Sequence, residues 1–154
     1  MRDFYAMPGH LIRRAHQTAG ALFAEEVGEL TPVQFAALSA IAANPGVDAT
    51  RLSALIAFDR STIGGVLERM EAKGWIARGP AAGDRRAKLL RVTAEGEVLL
   101  RAAEAPVRRV QERLLAPLSP AERATFLALL AQLSAPQPQV REEEAAPLRR
   151  VAGR

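Results

Sequence analysis

Arginines that alternate with small polar residues are suited to one chemistry above others, gripping a polyanion while probing the groups it displays. Such a run stands at Asp59-Arg60-Ser61-Thr62-Ile63-Gly64-Gly65-Val66-Leu67-Glu68-Arg69-Met70. Ile63, Val66, Leu67 and Met70 recur at i, i+3, i+4 and i+7, the spacing of a helix face turned to a core. The opposite face then presents Ser61, Gly65, Glu68 and Arg69, with Thr62 on its shoulder; Arg60 and Gly64 complete the set. Small and polar groups at a helix start are what can reach base edges in a DNA groove. Gly64 and Gly65 each cost ~1 kcal/mol relative to alanine inside a helix. Close approach to a phosphate or base edge would explain that cost, and close helix–helix packing is the competing explanation.

A second cluster, Arg85, Arg86 and Lys88 beside Asp84, follows shortly after. An arginine at a hairpin tip can enter a minor groove, where the potential is most negative. A solvated hairpin would also carry charges, so the position directly after the Arg60 helix is what favours a nucleic-acid role. A third cluster lies near the start of the chain. His10, Arg13, Arg14 and Gln17 fall on one stripe of a helix spanning Pro8 to Val27, opposite Leu11, Ile12, Ala15, Ala19, Leu22 and Phe23. A charged helical stripe is ordinarily a solvated face. Here it continues as Gly20, Ala21 and Ala24, small residues that suit a covered surface, and a covered stripe holding arginine suits a carboxylate held bidentately.

The elements that must position these groups are legible from their punctuation. Thr31-Pro32-Val33-Gln34 combines a cap, a first-turn proline and a capping-box glutamine; the helix it opens runs to about Ala43, with Val33, Ala36, Ala37, Ala40 and Ile41 inward and Asn44-Pro45-Gly46 as its stop. A short helix is expected from about Asp48 to Ile56, then the Arg60–Lys73 helix with Gly74 as its C-terminal stop. Residues 75–78 and 89–92 read as two strands, with turn residues 79–84 between them and a long, mobile, basic tip. Thr93 caps a long helix to about Leu115 with Leu99, Ala103, Val107, Val110 and Leu114 inward and a kink expected at Pro106. Ser119-Pro120-Ala121-Glu122 opens a last helix carrying Phe126, Leu127, Leu130 and Leu133. The tail from residue 135 is expected to be mobile. The fold class is therefore mainly α with a small β-hairpin wing: a winged helix-turn-helix over 30–92, and a helical dimerisation region from 8–29 and 93–134, whose apolar stripes exceed what one small domain can cover.

Composition narrows the alternatives. The chain has no cysteine, which removes disulfides, thiolate metal sites and thiol redox sensing. From Arg51 to Arg91 nine basic residues face four acidic ones, a net +5; with +4 for the whole chain, the remainder carries −1. The basic excess is local, as a nucleic-acid footprint requires. No signal peptide or membrane-spanning stretch is evident, so the expected location is the cytoplasm. No cofactor or metal is expected: His10 and His16 do not share a helical face, and no phosphate loop or nucleophile motif is present. An enzyme is not expected.

The run from Asp59 to Ile76, followed by Gly83-Asp84-Arg85-Arg86-Ala87-Lys88, Leu90-Arg91-Val92-Thr93 and Gly96, resembles the MarR family of bacterial regulators, and the resemblance extends from about Pro8 to Leu133. It implies an obligate homodimer that binds a pseudo-palindromic operator, mostly as a repressor released by a small, often phenolic or carboxylate ligand. It also implies that Ser61 and Thr62 lie at the recognition-helix start, that Arg86 enters the minor groove, and that Asp84 supports it. Pro8-Gly9-His10-Leu11-Ile12-Arg13-Arg14 is similar to the branch controlling aromatic-acid breakdown, which implies an aromatic carboxylate or its thioester near His10, Arg13, Arg14 and Gln17. The rival reading is an architectural or protein-interaction winged helix without ligand response, since fold alone does not settle function. A preference for one DNA site over random duplex separates the two.

Overall fold

The computed structural model describes residues 3–81 and 84–135, with the backbone alone at 81 and 84–88. The chain divides into two compact units, Met1–Pro117 and Leu118–Arg154. In the first, a 3-10 turn (Phe4–Ala6) precedes α1 (Pro8–Val27), α2 (Pro32–Ala43), α3 (Ala49–Leu55), α4 (Arg60–Ala72), β1 (Ile76–Ala81), β2 (Asp84–Val92) and α5 (Ala94–Leu114). In the second stands α6 (Pro120–Ser134).

The helix starts are set by local chemistry. At α2 the Gln34 amide donates to Thr31 Oγ1 at 3.3 Å while Thr31 N donates back to Gln34 Oε1 at 3.0 Å. Ser119 and Glu122 repeat this box at α6. Asp48 caps α3 by accepting from the Arg51 amide at 2.8 Å, and Thr93 caps α5 by accepting from the Gly96 amide at 3.1 Å. Each satisfies a donor that a helix end leaves orphaned.

The core of the first unit lies where α2, α3, α4 and the hairpin meet α5. Leu38, Ile41, Leu52, Ile63, Leu67, Met70, Ile76, Leu90 and Val110 are almost wholly enclosed. The α4 face expected from spacing, Ile63, Val66, Leu67 and Met70, is the buried one. On α2, Leu38 and Gln34 are buried beside Ala37 and Ile41, whereas Val33, Ala36 and Ala40 are half-buried. α1 packs on α5, and charge reinforces the contact: Arg109 Nε donates to Glu26 Oε2, Arg113 Nη1 to Glu26 Oε1, and Arg113 Nη2 to Glu25 Oε2, each at 2.8 Å. α5 is continuous through Pro106, whose ring deletes the bond that Ala102 would otherwise accept.

One feature differs from expectation. The antiparallel ladder is longer than residues 75–78 and 89–92. It pairs Ile76 with Val92 through Pro80 with Lys88, and after an irregularity Ala81 faces Asp84. Both strands of a two-stranded sheet are edges, and an edge tolerates a proline whose missing N–H would point away from the partner. On α1, Phe23 is buried and Leu22 and Ala19 are half-buried, whereas Leu11, Ile12 and Ala15 of the same apolar stripe are exposed.

In the second unit, Arg123 Nε donates to the Leu118 carbonyl at 2.9 Å, holding the approach to α6. Phe126, Leu127, Leu130 and Leu133 are all exposed. Among the described residues no helix is long and apolar enough to cross a membrane. The expected tail, beyond Ala135, and the expected tip at 82–83 lie outside the described residues.

Candidate nucleic-acid interface

α4 supplies the central surface. Asp59 is its N-cap, and one carboxylate oxygen, Oδ2, accepts the Thr62 amide at 3.1 Å, the Thr62 hydroxyl at 2.9 Å and the Ser61 hydroxyl. Those bonds, the Ser61 hydroxyl's first and the Thr62 hydroxyl's next, hold the Asp59 carboxyl below its ordinary range. Arg60, Ser61, Thr62 and Arg69 are exposed, and Gly64 and Gly65 are half-exposed. A Cβ built on Gly64 would meet nothing within 4 Å, and one on Gly65 only the Arg69 Nη1 at 3.6 Å. Among the described residues packing therefore does not require either glycine, and the helix presents there an outward surface without side chains.

The hairpin is anchored at the base of α4. Gly74 ends the helix at φ +74°, a conformation that favours glycine. The Thr93 hydroxyl donates to the Gly74 carbonyl at 2.5 Å, and the Thr93 amide donates to the Trp75 carbonyl at 3.1 Å. Arg78 on β1 pairs with Glu71 on α4 at 3.0 Å, and the Lys73 ammonium lies 4.3 Å from the Trp75 ring centroid. A third stretch joins the wing: Gly46 N donates to Leu90 O and Leu90 N to Val47 O, both at 2.9 Å. The backbone of Arg85, Arg86 and Lys88 lies in β2; their side chains lie outside the described residues.

At the other candidate site, His10 and Arg13 come together, the Arg13 Nη2 donating to His10 Nδ1 at 3.2 Å. Two aromatics that sequence reasoning did not single out complete the cluster. The Phe4 and Tyr5 rings stand 4.6 and 5.6 Å from the His10 ring, centroid to centroid. Asp3, which accepts from the Tyr5 amide at 3.0 Å, sets the turn that carries them; an acidic cap just before two aromatics was the available signal. Arg14 and Gln17 are exposed, as are Ala21 and Ala24, so among the described residues nothing covers this part of the stripe. A cavity of about 100 Å³ lies elsewhere, lined by Val27, Glu29, Leu30, Leu99, Ala102, Ala103 and Pro106. It is small beside the roughly 300–1,000 Å³ of ordinary ligand pockets, and none of the four predicted ligand residues lines it.

A buried-faced helix with a small, polar, outward start, followed by a hairpin fastened at its base, defines a winged helix-turn-helix DNA-binding protein. The chain belongs to the MarR family, and it is a transcriptional regulator. Residues 29–87 match the MarR family model. The transcriptional repressor NicR of Pseudomonas putida is 32% identical over 133 residues, which cover 85% of this chain and 84% of that protein. Among solved structures, Bordetella bronchiseptica BpsR, described with regulation of its DNA binding by 6-hydroxynicotinic acid, is 29% identical with a TM-score of 0.84, covering 89% of this chain and 99% of that one. Streptomyces coelicolor PcaV in complex with its natural ligand is 34% identical with a TM-score of 0.81, covering 86% of this chain and 95% of that one.

Proposed function

We propose that this regulator binds a pseudo-palindromic operator as a homodimer, represses transcription there, and is released by a small aromatic or heteroaromatic carboxylate. In this reading Arg60, Ser61, Thr62, Gly64, Gly65 and Arg69 meet the major groove, and Arg85, Arg86 and Lys88 meet the minor groove and backbone. Residues 30–92 form the DNA-binding domain; 8–29 and 93–134 form the dimerisation region. The observation that carries the DNA reading is the open, side-chain-free surface at Gly64 and Gly65 between exposed Ser61, Thr62 and Arg69. Two glycines inside a helix are costly, and among the described residues nothing fills the space they leave.

The dimer reading is supported by apolar side chains left exposed on α1 and α6, Leu11 and Ile12 on the one and Phe126, Leu127, Leu130 and Leu133 on the other. Exposed apolar surface on this scale marks an interaction site. The effector reading is supported by the His10–Arg13 pair beside two aromatic rings, with Arg14 and Gln17 on the same helix, and by the 6-hydroxynicotinic acid response of BpsR. A carboxylate would take the guanidinium and the rings would stack on an aromatic body. An effector shifts the equilibrium only by binding one dimer conformation better than the other.

Titration into labelled duplexes tests the core of this reading. The wild type should bind a selected site 10³-fold or more tighter than a scrambled duplex, roughly the lower bound for specific binders, with affinity falling steeply as salt rises. Equal, weak binding to both duplexes would replace the regulator reading with an architectural one.

A further inference from the structure

The DNA reading leaves open what α4 presents to the groove, and hydrogen-bond polarity answers this. A hydroxyl carries one proton. Ser61 and Thr62 both give theirs to Asp59 Oδ2, so only lone pairs remain to face outward. All three residues are exposed. Phosphate oxygens are acceptors and gain nothing from such a surface. In the major groove, guanine and thymine offer acceptors, whereas adenine N6 and cytosine N4 offer amino donors. Asp59 also sets a negative charge at the helix N-terminus, where the macrodipole would otherwise attract phosphate. The bonds that tie it to Ser61 and Thr62 hold its carboxyl below the ordinary range, so it stays ionised at neutral pH.

Building on the DNA contact proposed above, we propose that Asp59 is a specificity-determining residue: by taking both hydroxyl protons it leaves Ser61 and Thr62 as acceptors only, beside the donor Arg60, so that these two positions select adenine or cytosine amino groups rather than phosphate. Asp59 acts through Ser61 and Thr62 and is in that sense a positioning residue. Its cost is weaker general attraction to DNA, and its return is discrimination.

The test uses the full-length protein and a site that the wild type selects from random duplexes. Within that site, purine replaces each adenine and 2-pyrimidinone each cytosine, deleting one amino group at a time. Wild type, Asp59→Asn and Asp59→Ser are compared on these duplexes and on a scrambled one. Asparagine and serine both cap helices, and urea unfolding checks that each variant folds. The wild type is expected to lose about tenfold in affinity at one or more amino positions, the scale of a single base contact. Asp59→Ser should lose that sensitivity and bind the scrambled duplex about fivefold tighter. Asp59→Asn, which keeps an acceptor but no charge, should tighten on the scrambled duplex while retaining part of the sensitivity. Amino-group sensitivity in Asp59→Ser equal to wild type overturns the proposal. So does a wild type indifferent to every amino deletion while Ser61→Ala or Thr62→Ala weakens binding, a result that leaves the DNA contact standing. If Ser61→Ala, Thr62→Ala and Arg69→Ala all bind like wild type, the DNA contact itself is wrong, and this inference falls with it.

Discussion

Gly96 sits so close to the main chain of Trp75 that a Cβ on it would stand 2.1 Å from the Trp75 carbonyl oxygen and 2.8 Å from Val92 Cγ1. The first turn of α5 is thereby pressed against the junction between α4 and β1, where Thr93 also bonds to Gly74. The atom in the way is backbone and cannot rotate aside. Gly96→Ala should destabilise the protein by about 3 kcal/mol, the upper end of ordinary overpacking costs. Urea unfolding measures this, and a change near zero would mean that the junction can yield.

The glycines of α4 should behave oppositely. A Cβ at Gly64 meets open space, and at Gly65 only the movable end of Arg69. Gly64→Ala and Gly65→Ala should each raise stability by about 0.5–1 kcal/mol through backbone entropy. If the duplex approaches this surface, the same changes should weaken binding to the selected site by about tenfold or more. Stabilised variants with wild-type affinity would remove both glycines from the interface.

Ala57, in the turn between α3 and α4, has φ +50° and is the one non-glycine residue with positive φ among those described. A left-handed alanine costs roughly 1–2 kcal/mol, partly offset in Ala57→Gly by the greater freedom of glycine in the unfolded chain. Ala57→Gly should therefore raise stability by about 0.5–1 kcal/mol. Thermal unfolding at matched concentration checks the sign.

The α1–α5 contact should depend on acid. The Arg109 hydrogen bond first, and Arg113 next, hold the Glu26 carboxyl below its usual 4.5. A depressed folded-state value means that the stabilisation is complete above the unfolded value of about 4.5 and fades as pH falls through the lower folded one. Asp59 and Glu122 are also lowered, so acid loss is not Glu26's alone. Glu26→Gln should flatten the fall in stability below about pH 4.5 relative to wild type, and superimposable pH profiles would show that the cluster contributes nothing.

At the effector stripe, calorimetry with 6-hydroxynicotinic acid and a panel of benzoic acids is the direct measurement. Arg13→Ala and Arg14→Ala should each weaken binding of a responsive acid by about tenfold or more, as loss of a charge-assisted pair requires. Undiminished binding in either variant would take that arginine out of the site. Phe4→Ala should also weaken binding if the ring stacks on the ligand.

What could be read from spacing alone was everything governed by contacts three or four residues apart. The Thr31–Gln34 and Ser119–Glu122 boxes, the stop at Gly74 and the buried face Ile63–Val66–Leu67–Met70 depend only on helical geometry, which any copy of those residues would share. The resemblance carried by the Asp59–Ile76 run and by Asp84, Arg86, Thr93 and Gly96 supplied the family. Tertiary structure decided matters that depend on where distant segments lie. Spacing left two reasons for Gly64 and Gly65, and only the tertiary structure shows that no described residue of the chain packs against them. Nothing local announces that Val47 will bond to Leu90, that Glu26 will meet Arg109 and Arg113, or that Phe4 and Tyr5 will fold over His10. Nor does periodicity tell a core from an open face: Leu11 and Ile12 lie on the apolar stripe of α1 with Phe23, yet only Phe23 is buried. A helix repeats its pattern along its whole length, whereas burial requires a neighbour at each turn, and that neighbour is fixed by the fold.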